Sequence, residues 1–197
     1  VDSADISAAA DLLADAKLAI KAAEQERADA IVDGKVTQAE VDALKAKIDA
    51  AQTKLDAAET AINALPASSA KDALVTDVNS EQARLDRIDL ISNQAAFDAA
   101  QAAIDAAKAA VLAAQAELTS AQADGQYNDA EITALTDKYN TAQAALNDAN
   151  NKVTALPDGS AKDALATELA GVHNISVPAS NQAAFDAAQA AIDAAKA

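Results

Sequence analysis

The sharpest case for chemistry lies in twelve residues, DAIVDGKVTQAE, from Asp29 to Glu40. Counted as a calcium loop of EF-hand type, they place Asp29 at position 1, Asp33 at 5, Gly34 at 6, Val36 at 8, Thr37 at 9 and Glu40 at 12. Those positions supply the oxygen ligands and the sharp turn of such a loop. Position 3 is Ile31, which has no ligand atom. Ninety-one residues on, the same positions read Ser120, Gln122, Asp124, Gly125, Asn128 and Glu131, and the acidic first ligand is gone. A reading without metal covers the same residues: Gly34 ends a helix in the left-handed conformation, and Thr37 with Glu40 has the spacing of a capping box. Calcium held by Asp29, Asp33, Thr37 and Glu40 is the secondary expectation, and no other metal or cofactor is called for.

Catalytic chemistry finds less. His173 is the single histidine, in an irregular stretch, with no counterpart one repeat earlier. Carboxylates are abundant but fall on polar helix faces, with no apolar cleft to raise a pKa for acid and base work. No glycine-rich phosphate loop, nucleophile elbow or HExxH is present, so no catalytic or cofactor-binding residue is assigned. Tyr127 falls in a turn and is the one aromatic side chain expected in a small exposed binding patch. Tyr139, Phe97 and Phe185 fall on the apolar seam described next.

Helices must position all of these residues. Phe97, Ile104, Val111 and Leu118 recur every seven residues, with Ala100, Ala107, Ala114 and Ala121 interleaved, an apolar seam of coiled-coil type. Ile6, Leu13 and Ile20 repeat it with Ala9, Ala16, Ala23 and Ala30, and Arg27 stands where the fourth large residue would be. Arg27 is expected near the bundle end, its stem packed and its head in water. A second helix carries Val41, Leu44, Ile48, Ala51, Leu55, Ala58, Ile62 and Leu65, matched by Ile132, Leu135, Tyr139, Ala142, Leu146, Ala149, Val153 and Leu156. A shorter third carries Leu74, Val78, Leu85 and Ile88, with Leu165, Leu169 and Val172 as its partial counterpart. Asp33-Gly34 and Asp124-Gly125 mark the first turn, Asn128 with Glu131 repeats the capping spacing, Pro66 and Pro157 end the second helix, and Ser69 and Ser160 can cap the third.

The organisation is a repeat. SNQAAFDAAQAAIDAAKA occurs without change at Ser92–Ala109 and Ser180–Ala197. The turn and ALP segments recur at an offset of 91 and the identical string at 88, so three residues are lost between Leu165 and Ser180, where GVHNISVPAS has the composition of a linker. The expected modules are residues 1–91 and 92–179, with 180–197 the first half-helix of a third. Its Phe185 and Ile192 must dock on the preceding module or lie exposed. Asp89 to Ser92 holds neither proline nor glycine, so the third helix is expected to run nearly unbroken into the next.

Composition sets the class. The chain is 51% apolar, a figure carried by alanine, with 2% aromatics, four glycines, three prolines and no cysteine. Alanine favours helix and close approach but supplies little bulk for a thick core. The expected fold is all-α: tandem antiparallel three-helix bundles, slender, coiled-coil-like and spectrin-like, forming an elongated rod. Helices of about 28 residues at roughly 1.5 Å each give bundles on the order of 40 Å long. A net charge of −16 is the opposite of a nucleic-acid-binding footprint, and no apolar run approaches the roughly 20 residues of a membrane span. Regular threonine spacing for ice binding and the basic face of a membrane-surface helix are also missing.

The DG turn, the capping boxes TQAE and NDAE, the closing ALP and the SAKDAL that opens the third helix resemble the GA-like three-helix repeats of very large bacterial surface proteins. These include adhesins linked to biofilm formation. The resemblance covers both full modules. It implies an extracellular, cell-surface location and a non-enzymatic stalk or spacer role that projects a distal adhesive domain. Partners on that reading are the neighbouring modules of the same array. Related GA modules bind serum albumin, so a three-helix module that binds a host serum or matrix protein is the alternative, although no residue-level albumin-binding pattern is present.

Overall fold

Propagation through alanine, leucine and charged residues, interrupted at most of its breaks by a glycine or proline, gives seven helices in the computed structural model, which describes residues 3–196. Val1, Asp2 and Ala197, assigned above to the first module and the closing half-helix, lie outside the described residues. The helices are α1 (Ser3–Ala30), α2 (Gln38–Ala64), α3 (Ser69–Leu85), α4 (Gln94–Ala121), α5 (Asp129–Thr154), α6 (Ser160–Ala170) and α7 (Gln182–Lys196). No strand occurs among the described residues. The protein is all-α, and successive helices pack as bundles. The chain divides into two compact units, Val1–Gln94 and Ala95–Ala197.

In the first unit the heptad stripes of α1 and α2 face inward. Ala9, Leu13, Ala16, Ile20 and Ala23 interleave with Leu44, Ala51, Leu55, Ala58 and Ile62, and Val78 and Leu85 of α3 close the third side. Alanine at alternate seam positions brings the helices close, while Ile20, Leu44, Leu55 and Ile62 fill the remaining space. Arg27, exposed at the end of α1, sends its Nε to the Asp89 carbonyl oxygen at 2.8 Å. The bundle end thus gains a polar tie where the second unit places the half-buried Leu118.

The second unit has the same seam on α4 but two core clusters. Phe97, Ala100, Ile104 and Ala107 pack with Ala149, Val153 and Leu156, against Leu165 and Leu169 of α6. Ala114, Ala121 and Leu135 pack instead with Ile175 and the partly buried Val177. The cause is helix length: α3 has 17 residues and α6 only 11. Where α3 continues, unit 2 substitutes an irregular segment whose apolar side chains complete the core. The stretch expected as a linker is therefore part of the bundle, because Ile175 and Val177 have an apolar surface to cover.

Three further expectations are corrected. The third helix does not run into the next: α3 ends at Leu85 and α4 begins at Gln94. Ile88 lies past the end of α3 yet is buried in the core, and the Arg27 bond to the Asp89 carbonyl ties this non-helical segment to the end of α1. Likewise Val172 lies past α6. The cap of α3 is Ser68, whose Oγ accepts from Lys71 N at 3.2 Å, and Ser69 is the first helical residue. At the matching place α6 has Gly159, with no side-chain cap, so Ser160 does not cap either.

The lysine of each SAKDAL segment reaches backward. Lys71 Nζ donates to the Asn63 and Leu65 carbonyls, both at 2.7 Å. Lys162 Nζ donates to those of Thr154 and Leu156 at 3.1 and 3.0 Å. A helix end leaves its last carbonyls without partners and carries partial negative charge, so an ammonium there meets both needs.

Candidate functional site

The α1–α2 and α4–α5 turns are the places where side chains of the sequence pattern and distant backbone converge. Both turns need a glycine at positive φ, Gly34 at 82° and Gly125 at 74°. Asp33 Oδ1 accepts from Lys35 N at 2.9 Å, and Asp124 Oδ1 from Gln126 N at 3.0 Å, which tightens each loop after its glycine. The capping boxes follow. Thr37 Oγ1 accepts from Glu40 N at 3.2 Å while Thr37 N donates to Glu40 Oε2 at 2.7 Å. Asn128 Oδ1 accepts from Glu131 N at 2.9 Å, and Asn128 N donates to Glu131 Oε2 at 3.0 Å.

The four calcium candidates are thus divided among three engagements. Asp29 Oδ1 accepts from Gln25 Nε2 at 2.8 Å on the last turn of α1. Asp33 serves the loop, and Thr37 and Glu40 serve the cap of α2. Among the described residues no group of three His, Cys, Asp or Glu side chains is placed to hold a metal ion.

The sequence pattern does not reveal what docks on these turns. Asn93 lies against the first loop: its backbone N–H donates to the Val36 carbonyl at 2.9 Å, its Oδ1 accepts from Val36 N at 2.7 Å, and its Nδ2 donates to the Gly34 carbonyl at 2.9 Å. Ser92 Oγ adds a bond to the Val36 carbonyl at 2.9 Å, and Gln94 Oε1 accepts from Gln38 N at 3.1 Å. The second unit repeats the clasp. Asn181 N donates to the Tyr127 carbonyl at 3.0 Å, Asn181 Oδ1 accepts from Tyr127 N at 2.6 Å, and Nδ2 donates to the Gly125 carbonyl at 3.2 Å. Each identical string therefore opens with an anchor on the turn that precedes it. Asparagine fits because one amide both donates and accepts, matching a free N–H and C=O of the loop. The SNQ of the duplicated string was the available signal, but its partners lie 57 and 54 residues away.

Tyr127 is half-buried against the second core cluster of its unit, which corrects its expected place in an exposed patch. Tyr139 packs on the same cluster. Phe97 is buried, whereas Phe185 is 44% exposed.

Ion pairs tie the first helix of each unit to the third. Lys17 Nζ meets Asp77 Oδ2 at 2.9 Å, and one repeat later Lys108 Nζ meets Glu168 Oε1 at 2.6 Å. Glu168 also accepts from Gln101 Nε2 at 3.0 Å. The bond from Lys108, then that from Gln101, holds the Glu168 carboxyl below the usual glutamate range, and Lys108 is raised by its bond to Glu168. In unit 1, Arg84 forks onto Glu24, with its Nε at 2.6 Å from Oε1, and adds Glu81 at 3.1 Å. The Arg84 bond lowers the Glu24 carboxyl and raises Arg84 in turn.

Where α6 stops short, an open groove of 430 Å³ is left, lined by Lys108, Val111, Leu112, Glu168, Val172 and His173. His173 is exposed on its rim. In unit 1 the longer α3 brings Arg84 and Glu24 together over the corresponding stretch of α1. None of the described helices is long and apolar enough to cross a membrane.

No curated protein and no solved structure matches the chain. A family model matches it twice, over residues 6–91 and 97–191, segments that coincide with the two rounds of DG turn, capping box and lysine-capped helix end. The chain belongs to the GA-like domain family.

Proposed function

We propose that this chain is a run of non-enzymatic spacer modules of a bacterial cell-surface adhesin, which holds a distal adhesive domain away from the cell. GA-like domains occur in bacterial surface proteins. The observation that carries the reading is the tandem itself: two successive GA-like matches, over residues 6–91 and 97–191, and a verbatim return at Ser180 of the string that begins at Ser92. A repeated surface serves length better than it serves a single reaction centre. On this reading the modules are residues 1–91 and 92–179, residues 180–197 open a third, and the partners are neighbouring modules of the array. The absence of cysteine and the charge of −16 suit an extracellular array whose near-identical neighbours must not stick together.

Small-angle scattering on chains of one, two and three modules tests it. A spacer lengthens by a constant step per module; a maximum dimension that does not grow with module number would overturn the role. Calcium is not part of the proposal, since the Thr37 hydroxyl and Glu40 Oε2 are engaged in the cap. Heat of binding in a millimolar calcium titration would show otherwise.

A second reading, a module that binds a host serum or matrix protein, is favoured by the groove beside α6, whose edge carries Leu112 at 64% exposure. A single saturable partner recovered from serum, and lost with Leu112→Asp, would replace the spacer-only reading.

A further inference from the structure

The chain holds 15 lysines and arginines, and the arginines among them are Arg27, Arg84 and Arg87 alone. All three line one open pocket of 280 Å³ in the first unit, where α1 and α3 finish, and Glu24 and the buried Ile88 complete its wall. The three guanidinium groups are differently engaged. Arg84 is fully committed: its Nε and Nη2 fork onto Glu24, and its Nη1 meets Glu81 at 3.1 Å. Both Glu24 oxygens are thereby held, which neutralises the carboxylate in the pocket wall. Arg27 gives its Nε to the Asp89 carbonyl at 2.8 Å, a neutral acceptor that leaves its charge uncancelled. Arg87 is exposed, and its side chain forms no ion pair or hydrogen bond among the described residues.

The bundle does not require these arginines. Residues 95–197 contain none. There Leu118 stands at the place of Arg27, and Ile175 and Val177 close that end of the unit as part of a core cluster. Elsewhere the chain's cations are lysines; here they are the residue whose planar fork matches the oxygens of phosphate-type anions.

We propose that the pocket between Arg27 and Arg87 binds a small doubly charged oxyanion, a sulfate or phosphate group. Two unpaired guanidinium groups balance two charges, so a dianion fits better than a single carboxylate. The buried Ile88 keeps water from one wall, and attraction between charges grows as water is excluded. A long polyanion fits poorly, because a chain of net charge −16 repels an extended run of negative charge. The pocket is open to solvent, which limits the affinity to the millimolar range. This reading is independent of the spacer role.

Three arginines give three Nε–H resonances in the nitrogen-15-labelled full chain, assigned with Arg27→Lys and Arg87→Lys. The probes are sodium sulfate and sodium phosphate, with sodium acetate and sodium chloride at matched ionic strength. The Arg27 and Arg87 resonances should shift together and saturate, half-complete below about 10 mM of either dianion. Arg84, held by Glu24, should not move. The tighter of the two probes names the group. Arg87→Gln, a change at an exposed position, should weaken the titration of Arg27 at least about fivefold, since it removes one charge-assisted partner. An unmoved Arg84 resonance in that variant reports that the bundle end is intact. The proposal fails if the shifts grow linearly and equally with chloride, or if acetate saturates as tightly as the dianions. It fails equally if Arg84 moves because the anion has taken it from Glu24, or if Arg87→Gln leaves the titration of Arg27 unchanged.

Discussion

Residues 92–109 and 180–197 are the same peptide in two environments. Both begin with an asparagine clasped to the preceding turn, and both are helical from the next residue on. From there they diverge: the first string sinks Phe97 and Ile104 into a core, and the second leaves Phe185 and Ile192 half in solvent. Helicity is thus a local property of these residues, since it survives without cover, and the anchor needs only the turn that each string docks on. Burial is not local, because it depends on whether α5 and α6 lie alongside. The pair separates what a sequence does to its own backbone from what neighbours do to its side chains.

The largest effect should come from cutting the same side chain in both settings. Phe97→Ala removes a buried aromatic and should cost about 3–5 kcal/mol in urea unfolding. Phe185→Ala should stay within about 0.5 kcal/mol. Equal losses would mean that α7 is covered in solution. Next come the anchors, where the two strings should behave alike. Asn93→Ala and Asn181→Ala each remove two partly exposed side-chain bonds, for about 1–2 kcal/mol apiece. Amide exchange should show Val36 and Tyr127 losing protection in the respective variants. Gly125→Ala attacks the second anchor from the other side. A Cβ there meets nothing within 4 Å, so the cost is that of the left-handed backbone alone, about 1–2 kcal/mol.

The smallest effect is electrostatic and appears as a difference in pH response. Glu168 is held below the ordinary glutamate range by Lys108 and Gln101. A lowered folded-state pKa gives stability that is present above the unfolded value and lost as pH falls through the folded one. The gap between the wild type and Glu168→Gln should therefore be open at neutral pH and close on acidification below the ordinary glutamate range. Lys108→Gln should narrow the gap, and Lys196→Gln, the same substitution in the second string, should leave it unchanged. Denaturant midpoints across pH 3 to 7 would show this. A gap independent of pH would assign Glu168 a packing role only.

Much of the fold was legible because it is written in local codes. The seven-residue recurrence on α1, α2 and α4 named their buried faces, and Ala9, Leu13, Ala16 and Ile20 lie where the heptads put them. Thr37 with Glu40 and Asn128 with Glu131 form the expected boxes, since a cap joins residues three apart and needs no tertiary partner. The third helices were harder. Their stripes are short, so the chain past Leu85 and Ala170 is placed by what it can cover: Ile88 and Ile175 leave the helix and still enter the core. The lysine caps and the partners of the asparagine anchors were not legible for a related reason. Their partners are backbone groups, which have no sequence signature of their own.

Composition and period thus settled the helices, their inward faces, the turns and the tandem plan, because propensity, heptad spacing and capping act over a few residues. The depth of each seam, the rewiring around the shortened α6 and the opposite fates of Phe97 and Phe185 were decided by tertiary packing. Removing a side chain from water requires atoms from elsewhere in the fold, and one string of residues cannot specify whether they arrive.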